Sequence, residues 1–438
     1  MYSWRRKLER YFEFEALGAN WKTEILAGAT TFMTMAYIVF VNPSILAETG
    51  MPFTAVMAAT CFSAAFGSLL MGILARYPIA LAPGMGLNAY FAYTVVKGMG
   101  VSWQAALGAV FISGVVFLLL TAAGIRQLIV SSIPTELYSA VGAGIGLFIA
   151  LIGFRNSGII APSAATTVTL GNLREPHTLL ALFGLLLTGA LMAWRVKAAM
   201  LLGILGTTAV GAACGLVGWQ PQAYRLADIA GTAFQLDLKA TFQLGALEII
   251  FVFLFVDLFD NVGTLVAVGK KAGLFDQSHQ IPRVNRILFS DAAASIAGAL
   301  SGTSTVVSYI ESAAGVVAGG RTGVTAIVTG CLFLAALFVA PVVGVVPAAA
   351  TSPALIIVGC MMMTAIGEID WTDPVVALSA FLTLTAIPLT FSIANGLAFG
   401  FSSYTLLKVA SGQGRKINWL VYVLTALFIA RFAYLAKG

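Results

Sequence analysis

The chain has 438 residues, of which 59% are hydrophobic and 10% are charged, and its mean hydropathy is +0.95. Soluble domains carry about 25% charged residues, so this composition excludes a soluble protein and predicts an all-α polytopic membrane protein. The formal net charge is +6, but the basic residues are scattered through predicted loops instead of forming a stripe with aromatic residues. Nucleic acid is therefore excluded as a partner.

Fourteen membrane spans are predicted from apolar stretches that short Gly-, Pro- or charge-bearing breaks separate. In chain order they cover residues 24–46, 53–75, 78–97, 103–124, 134–153, 176–194, 198–218, 246–269, 287–301, 303–320, 322–343, 350–368, 374–388 and 391–409. A further apolar stretch follows at 418–435, and its length does not decide between a fifteenth crossing and an interfacial helix.

The distribution of Lys and Arg over the predicted loops sets the orientation. With the N-terminus in the cytoplasm, seventeen basic residues fall on the cytoplasmic side and five on the opposite side. Cytoplasmic loops of membrane proteins carry an excess of Lys and Arg. The sequence therefore predicts a multi-pass protein of the cell membrane with a cytoplasmic N-terminus.

The spans divide into two sets of seven, and an odd number of crossings turns the second set upside down relative to the first. We predict a first inverted repeat over 1–218, a second over 246–410, and an extra C-terminal hydrophobic segment over 411–438. At a separation of 219 residues, the interrupted third span (80–91) falls on the interrupted tenth span (299–310). Paired interrupted segments of this kind indicate a transporter's binding site at the middle of the membrane.

Most acidic residues lie in predicted loops or near the ends of spans, but three lie well inside spans: Asp257 and Asp260 in the eighth, and Glu311 in the tenth. An ionisable side chain within a span is by default a functional-site hypothesis, because burying it is costly. The spacing i, i+3, i+7 places Asp257, Asp260 and Thr264 on one face of a helix, which we expect to point at a cavity. Two carboxyl groups that close together disfavour simultaneous ionisation, so one of them can carry a proton.

Neutral polar residues accompany these acids in the interrupted spans. Asn88 is predicted to offer its amide, which is both donor and acceptor, to the edge of a heterocycle beside Phe91; the alternative is that it caps the helix break. Ser308 lies next to Glu311, where its hydroxyl either contacts a ligand or satisfies the backbone of a broken helix. The cysteines and histidines show no metal-type spacing, so neither a metal site nor a cofactor is expected.

Four stretches, at 22–46, 81–91, 255–269 and 305–323, together resemble the adenine/guanine/hypoxanthine permease branch of the nucleobase–cation symporter family. The resemblance implies fourteen spans in a seven-plus-seven inverted repeat. It also implies a core domain of spans 1–4 and 8–11 and a gate domain of spans 5–7 and 12–14. In such proteins spans 3 and 10 each carry a short strand and a half-helix, and the substrate sits between the two half-helices.

Carried over by motif, the resemblance implies functional roles for Asn88, Asp257, Asp260 and Glu311. Relatives selective for uracil or xanthine have a histidine where this chain has Thr264, which favours a purine-type site. The expected substrate-binding residues are Asn88, Asp260, Glu311, Thr264, Phe91 and Ser308. Asp257 is expected to couple transport to a proton, although the division of roles between Asp257 and Asp260 stays open.

The expected function is secondary active, proton-coupled uptake of a purine nucleobase (guanine, hypoxanthine or adenine), with no catalytic residues and no enzyme activity. The expected partners are the purine, the proton and the lipid bilayer, and a homodimer stays open. One alternative is an anion transporter of the same architecture, although carboxylates in the site would repel an anion. A second alternative, an intramembrane aspartyl protease, needs its two aspartates on different helices, whereas Asp257 and Asp260 share one.

Overall fold

A computed structural model describes residues 2–124, 132–217, 230–243, 246–272, 282–343 and 346–435. Within these ranges, six helices are long and apolar enough to cross a membrane by length and composition, and shorter apolar helices accompany them. The protein is therefore a helical membrane protein, as predicted. The number of fourteen spans stays a prediction.

Ten helices and three strands lie in the described part of the first half. They are α1 (Tyr2–Tyr11), α2 (Phe14–Leu17), α3 (Trp21–Met35), α4 (Ile38–Ala47), α5 (Phe53–Leu70) with a π-helical turn (Met71–Ala75), β1 (Leu81–Pro83), α6 (Met85–Ala89) with a π-helical extension (Tyr90–Gly98), α7 (Trp103–Ala122), α8 (Thr135–Asn156), β2 (Ile160–Ser163), β3 (Thr167–Leu170), α9 (Pro176–Ala193) and α10 (Ala199–Ala213). Helix α3 ends at Met35 and α4 begins at Ile38, and together they form one span, Trp21–Ala47.

The described part of the second half contains the remaining elements. They are α11 (Leu238–Gln243), α12 (Ala246–Ala272), α13 (Val284–Ser301), β4 (Val306–Ser308), α14 (Ser312–Val317), α15 (Gly323–Val343), α16 (Ala348–Met362) with a 3-10 turn (Met363–Glu368), α17 (Pro374–Leu389), α18 (Ile393–Ala410), a 3-10 turn (Gly414–Lys416) and α19 (Trp419–Leu435).

Local sequence signals set several helix ends. Asn20 caps α3 by accepting a hydrogen bond from the Thr23 N–H at 2.9 Å, and Ser102 caps α7 in the same way. Such caps satisfy backbone N–H groups that have no partner inside the helix. At the end of α13, Gly302 adopts a φ of 100°, which allows the chain to turn sharply towards β4.

Strands β1 and β4 pair antiparallel, with Leu81 opposite Ser308 and Pro83 opposite Val306, and all their residues are buried. Each strand is followed by a short helix, α6 or α14, so the strand and half-helix implied for spans 3 and 10 are confirmed. The separation of 219 residues was wrong for these elements, because the strands begin 225 residues apart, at Leu81 and Val306. Apolar sequences share identical residues easily by chance. The residue identities found at a separation of 219 therefore did not mark structurally equivalent positions.

Each strand has one edge that does not face the other strand. At that edge a serine from a neighbouring helix hydrogen bonds to the strand backbone. Ser68 of α5 accepts from the Leu81 N–H at 2.9 Å and donates to the Leu81 carbonyl at 3.2 Å. Ser295 of α13 does the same for Val306, at 3.2 and 2.9 Å. Because lipid offers no hydrogen bonds, a strand inside a membrane protein needs such partners. The two serines therefore allow the strand pair to exist at membrane depth.

The long helices pack in two groups. In one group α5 packs on α13 and α15, α3 packs on α14 and α15, and α7 packs on α12 and α13. In the other group α8 packs on α16 and α17, α17 packs on α18, and α9 packs on α10 and α16. The largest buried apolar cluster surrounds the strand pair and includes Leu87, Phe91, Phe253 and Val307.

The C-terminal helix α19 packs against α18 through a stripe of buried residues, Val421, Leu424, Thr425 and Phe428. The hydroxyls of Thr405 and Thr425 lie 2.7 Å apart, and the Phe428 ring contacts Phe401. The spacing i, i+3, i+4, i+7 is that of one helix face. Segment 418–435 is thus a packed helix, and whether it crosses the membrane stays open.

Candidate functional site

The candidate site lies where β1 and β4 pair and α6 and α14 begin. Glu311 directly precedes α14 and is partly exposed. Asp260 of α12 is also partly exposed and lies against the end of β1, because a Cβ atom added to Gly84 would be 3.4 Å from its Oδ2 atom. Two carboxyl groups predicted from sequence are therefore both brought next to the strand pair.

A tyrosine that the sequence did not single out holds one of these carboxyl groups. Tyr37, between α3 and α4, donates its hydroxyl to Oε1 of Glu311 at 2.8 Å. On the other side, Tyr309 donates its hydroxyl to the Pro83 carbonyl at 2.6 Å, which joins the end of β4 to β1. Tyr37 thus fixes the carboxyl group of Glu311, and Tyr309 fixes the chain two residues before it.

Asp257 lies in a different environment from Asp260, although the two share a helix. Asp257 is 1% exposed, and its Oδ1 accepts a hydrogen bond from Nδ2 of Asn261 at 2.7 Å. The same Nδ2 donates to Oδ2 of Asp291 on α13 at 2.6 Å, and Asp291 is also 1% exposed. The amide of Asn261 therefore bridges two buried carboxyl groups. Its oxygen accepts from the Ser308 N–H at 3.0 Å, which connects this bridge to β4.

The neutral candidates are all buried. Asn88 on α6 accepts a very short hydrogen bond from the Ser304 hydroxyl, and its Nδ2 lies 4.0 Å from Sδ of Met85. Phe91 packs in the apolar cluster with its ring 6.4 Å from that of Phe253. Thr264 is 7% exposed, and Oγ of Ser308 has no hydrogen-bond partner among the residues that the structure describes. Asn88 thus joins α6 to the segment before β4 through a side-chain hydrogen bond.

The sequence analysis missed Tyr37, Asn261 and Asp291. Asn261 follows Asp257 by four residues, so the helical i, i+4 spacing was a signal that could have found it. Asp291 lies near the start of the predicted ninth span. Acidic residues are common at span ends, so its position gave no signal. For Tyr37 the sequence holds no comparable signal, because its partner Glu311 is 274 residues away.

The fold and the site define a polytopic membrane protein with two antiparallel strands and carboxyl groups beside them, and solved transporters share this fold. The chain resembles the transmembrane domain of a cyanobacterium bicarbonate transporter, BicA, with a TM-score of 0.65 at 16% identity, covering 86% of this chain and 96% of that one. It also resembles the murine anion transporter Slc26a9 in the inward-facing state, with a TM-score of 0.59 at 12% identity, covering 90% and 69%. At these identities the likeness concerns the fold alone.

Sequence comparison identifies the family. The sequence model of the Permease family matches residues 22–399, and the chain belongs to this family. It is 41% identical to the adenine permease AdeP of Escherichia coli (strain K12), covering 98% of this chain and 96% of that one. It is 46% identical to the guanine/hypoxanthine permease PbuG of Bacillus subtilis (strain 168), covering 98% and 100%. The resemblance drawn from the four motifs is confirmed. The protein is a permease and not an enzyme, which removes the aspartyl protease alternative.

Proposed function

We propose that the protein takes up purine nucleobases across the cell membrane together with a proton. The observation that carries the proposal is the placement of partly exposed Asp260 and Glu311 at the pairing of β1 with β4. Two relatives that match nearly the whole chain are named as permeases for adenine and for guanine and hypoxanthine, which supports a purine as the substrate.

The chemistry of the site suits a neutral heterocycle. A carboxylate accepts hydrogen bonds from ring N–H groups, and such charge-assisted bonds are about twice as strong as neutral ones. In this proposal Asp260 and Glu311 hold the N–H edges of the base. Asn88, Thr264, Phe91 and Ser308 complete the binding residues. An anion would be repelled by the same carboxylates, so the fold shared with anion transporters does not favour an anion here.

Asp257 is the proposed proton carrier. It shares the amide of Asn261 with Asp291, at 2.7 and 2.6 Å, and both carboxyl groups are almost fully buried. Two carboxyl groups this close in a poorly solvated setting disfavour the doubly charged state, so a proton is held between them or on one of them. The hydrogen bond from the Ser308 N–H to Oδ1 of Asn261 connects the proposed proton site to β4, which ends three residues before Glu311.

The architecture proposed for this cycle is the seven-plus-seven inverted repeat with a core and a gate domain. Ser68 hydrogen bonds to the Leu81 backbone in β1, and Ser295 hydrogen bonds to the Val306 backbone in β4 in the same way. This equivalence of the two strand edges supports a repeat. The two packing groups of helices support the division into core (spans 1–4 and 8–11) and gate (spans 5–7 and 12–14). The excess of basic residues on one side supports a cytoplasmic N-terminus. All proposed site residues belong to one chain, so a homodimer is not needed to complete the site.

Replacing each aspartate separately tests the assignment of roles. We expect Asp260→Asn to lose purine binding. Asp257→Asn should keep binding and exchange across the membrane but lose accumulation driven by a proton gradient. Asp370→Asn is the matched control, because Asp370 hydrogen bonds to Thr372 in an exposed loop. The measurement is equilibrium binding of labelled hypoxanthine, guanine and adenine beside uptake in proteoliposomes at several pH values.

The outcomes separate the alternatives. If Asp257→Asn abolishes binding and Asp260→Asn only uncouples transport, the roles are reversed. Normal accumulation in both variants would place the site elsewhere. Competition by bicarbonate or sulfate, without competition by any purine, would establish the anion transporter instead.

A further inference from the structure

The motif at 22–46 has no role in the proposed mechanism, yet it carries buried polar residues that bond to the segment around β4 and α14. The carboxylate of Glu24 accepts hydrogen bonds from the N–H groups of Arg321 and Thr325, at 2.8 and 3.2 Å. Near the other end of the motif, Nδ2 of Asn42 donates to Thr303 Oγ1 at 2.9 Å. The first span is therefore attached to both ends of the segment that contains Glu311.

Tyr37 lies between these two attachments, at the junction of α3 and α4. Its side chain is 1% exposed, so the phenol is held inside the protein. Its hydroxyl donates to Oε1 of Glu311 at 2.8 Å. Because α3 and α4 form one continuous span, Trp21–Ala47, the phenol reaches Glu311 from the middle of that span.

Close packing of α3 on α14 keeps this hydrogen bond in place. A Cβ atom added to Gly315 would lie 2.8 Å from the Ala27 carbonyl oxygen and even closer to the Thr31 hydroxyl. Only glycine allows the two helices to approach this closely. The close contact of Gly315 with Thr31 lies four residues after Glu311 and six residues before Tyr37, so it holds together the two segments that carry the hydrogen bond.

We infer that Tyr37 is a positioning residue of the substrate site, which holds Glu311 so that its second oxygen is presented to an N–H group of the purine. The inference rests on the proposed function. A carboxylate has two oxygens and about four lone-pair sites, so one oxygen can accept from the phenol while the other accepts from a ligand. With the carboxyl plane fixed in advance, binding does not have to restrict the rotation of the Glu311 side chain. The ligand selected by such an acceptor must offer an N–H donor in the plane of the carboxyl group.

The test is Tyr37→Phe, which removes one oxygen atom and keeps the ring. Tyr77→Phe is the matched control, because the Tyr77 hydroxyl also donates to a residue distant in sequence, but to a backbone oxygen, that of Pro282, at 2.6 Å. Exchange of labelled hypoxanthine, guanine or adenine in proteoliposomes gives the half-saturating concentration and the maximal rate. The loss of one hydrogen bond to a charged group predicts a half-saturating concentration raised about 10-fold in Tyr37→Phe, with the maximal rate within about twofold. Tyr77→Phe should leave the half-saturating concentration unchanged.

A double-mutant cycle separates positioning from a general structural effect. In a Glu311→Gln background, Tyr37→Phe should change the half-saturating concentration by less than about threefold, because the charged acceptor is already gone. An equal loss in both backgrounds would overturn the inference. So would an unchanged half-saturating concentration in the single variant, or a loss confined to the maximal rate. If the wild-type protein binds none of the three purines, the proposed function fails. If the wild type and Tyr37→Phe bind equally well, only the role of Tyr37 fails.

Discussion

Replacing Asn261 by leucine removes the bridge between α12, α13 and β4 while keeping the number and branching of the side-chain heavy atoms. Four hydrogen bonds disappear: those from Nδ2 to Oδ1 of Asp257 at 2.7 Å, to the Asp257 carbonyl at 3.1 Å and to Asp291 at 2.6 Å, and the one from the Ser308 N–H at 3.0 Å. Each buried polar group left without its partner costs about 1–3 kcal/mol, and more if it is charged. Because at least three such groups lose a partner, we expect the free energy of unfolding to fall by at least about 3 kcal/mol.

The assay is the apparent melting temperature of the purified protein in detergent, measured beside purine binding. Asn172→Leu is the matched control, since Asn172 accepts only a local hydrogen bond, from the Arg174 N–H at 3.1 Å in an exposed loop. Asn261→Leu should melt several degrees lower than this control and bind purine more weakly, because β4 loses its anchor beside Glu311. Equal melting temperatures and equal affinities in the two variants would refute the role of the Asn261 bridge.

Further predictions concern packing, pH and the C-terminus. Gly315→Ala should weaken purine binding and lower the melting temperature by forcing α14 away from α3, whereas Gly142→Ala, where a Cβ atom meets open space, should do neither. Lys408 donates to Asp373 at 2.9 Å and holds the pKa of that carboxyl below its usual value. The ion pair therefore stabilises the fold at pH values above the unfolded-state pKa of Asp, about 3.9, and this stabilisation is lost as the pH falls through the lowered folded-state pKa. The difference in melting temperature between wild type and Asp373→Asn should consequently vanish in acid. Deleting 418–438 should lower the melting temperature, because α19 packs on α18, but should leave measurable uptake; its complete loss in a folded protein would contradict this.

Much of the fold could be predicted from the sequence. The apolar stretches and their charged breaks indicated a helical membrane protein, because the bilayer dictates the length and composition of its helices. The interruptions at 80–91 and 299–310 indicated the segments in which β1 and β4 are found, although the alignment between them was off by six residues.

The candidate site was predicted less completely. Acids within spans are conspicuous in sequence, so Asp257, Asp260 and Glu311 were found. Tyr37 and Asp291 were missed because their roles depend on contacts between distant parts of the chain. The different surroundings of Asp257 and Asp260 were likewise invisible, because helical spacing gives the face of a helix but not the neighbours that cover it. Each of these features depends on a tertiary contact: Tyr37 with Glu311, Asn261 with Asp291, and Asp260 with the segment after β1.

Uptake of labelled hypoxanthine, guanine and adenine into proteoliposomes under an imposed proton gradient tests proton-coupled purine transport most directly. Vesicles that are alkaline inside should accumulate at least one of these bases above its external concentration. A protonophore should abolish that accumulation, and replacement of sodium by choline should not affect it. Accumulation that follows a sodium gradient and ignores the proton gradient would contradict proton coupling, and the failure of all three bases to enter would contradict purine transport itself.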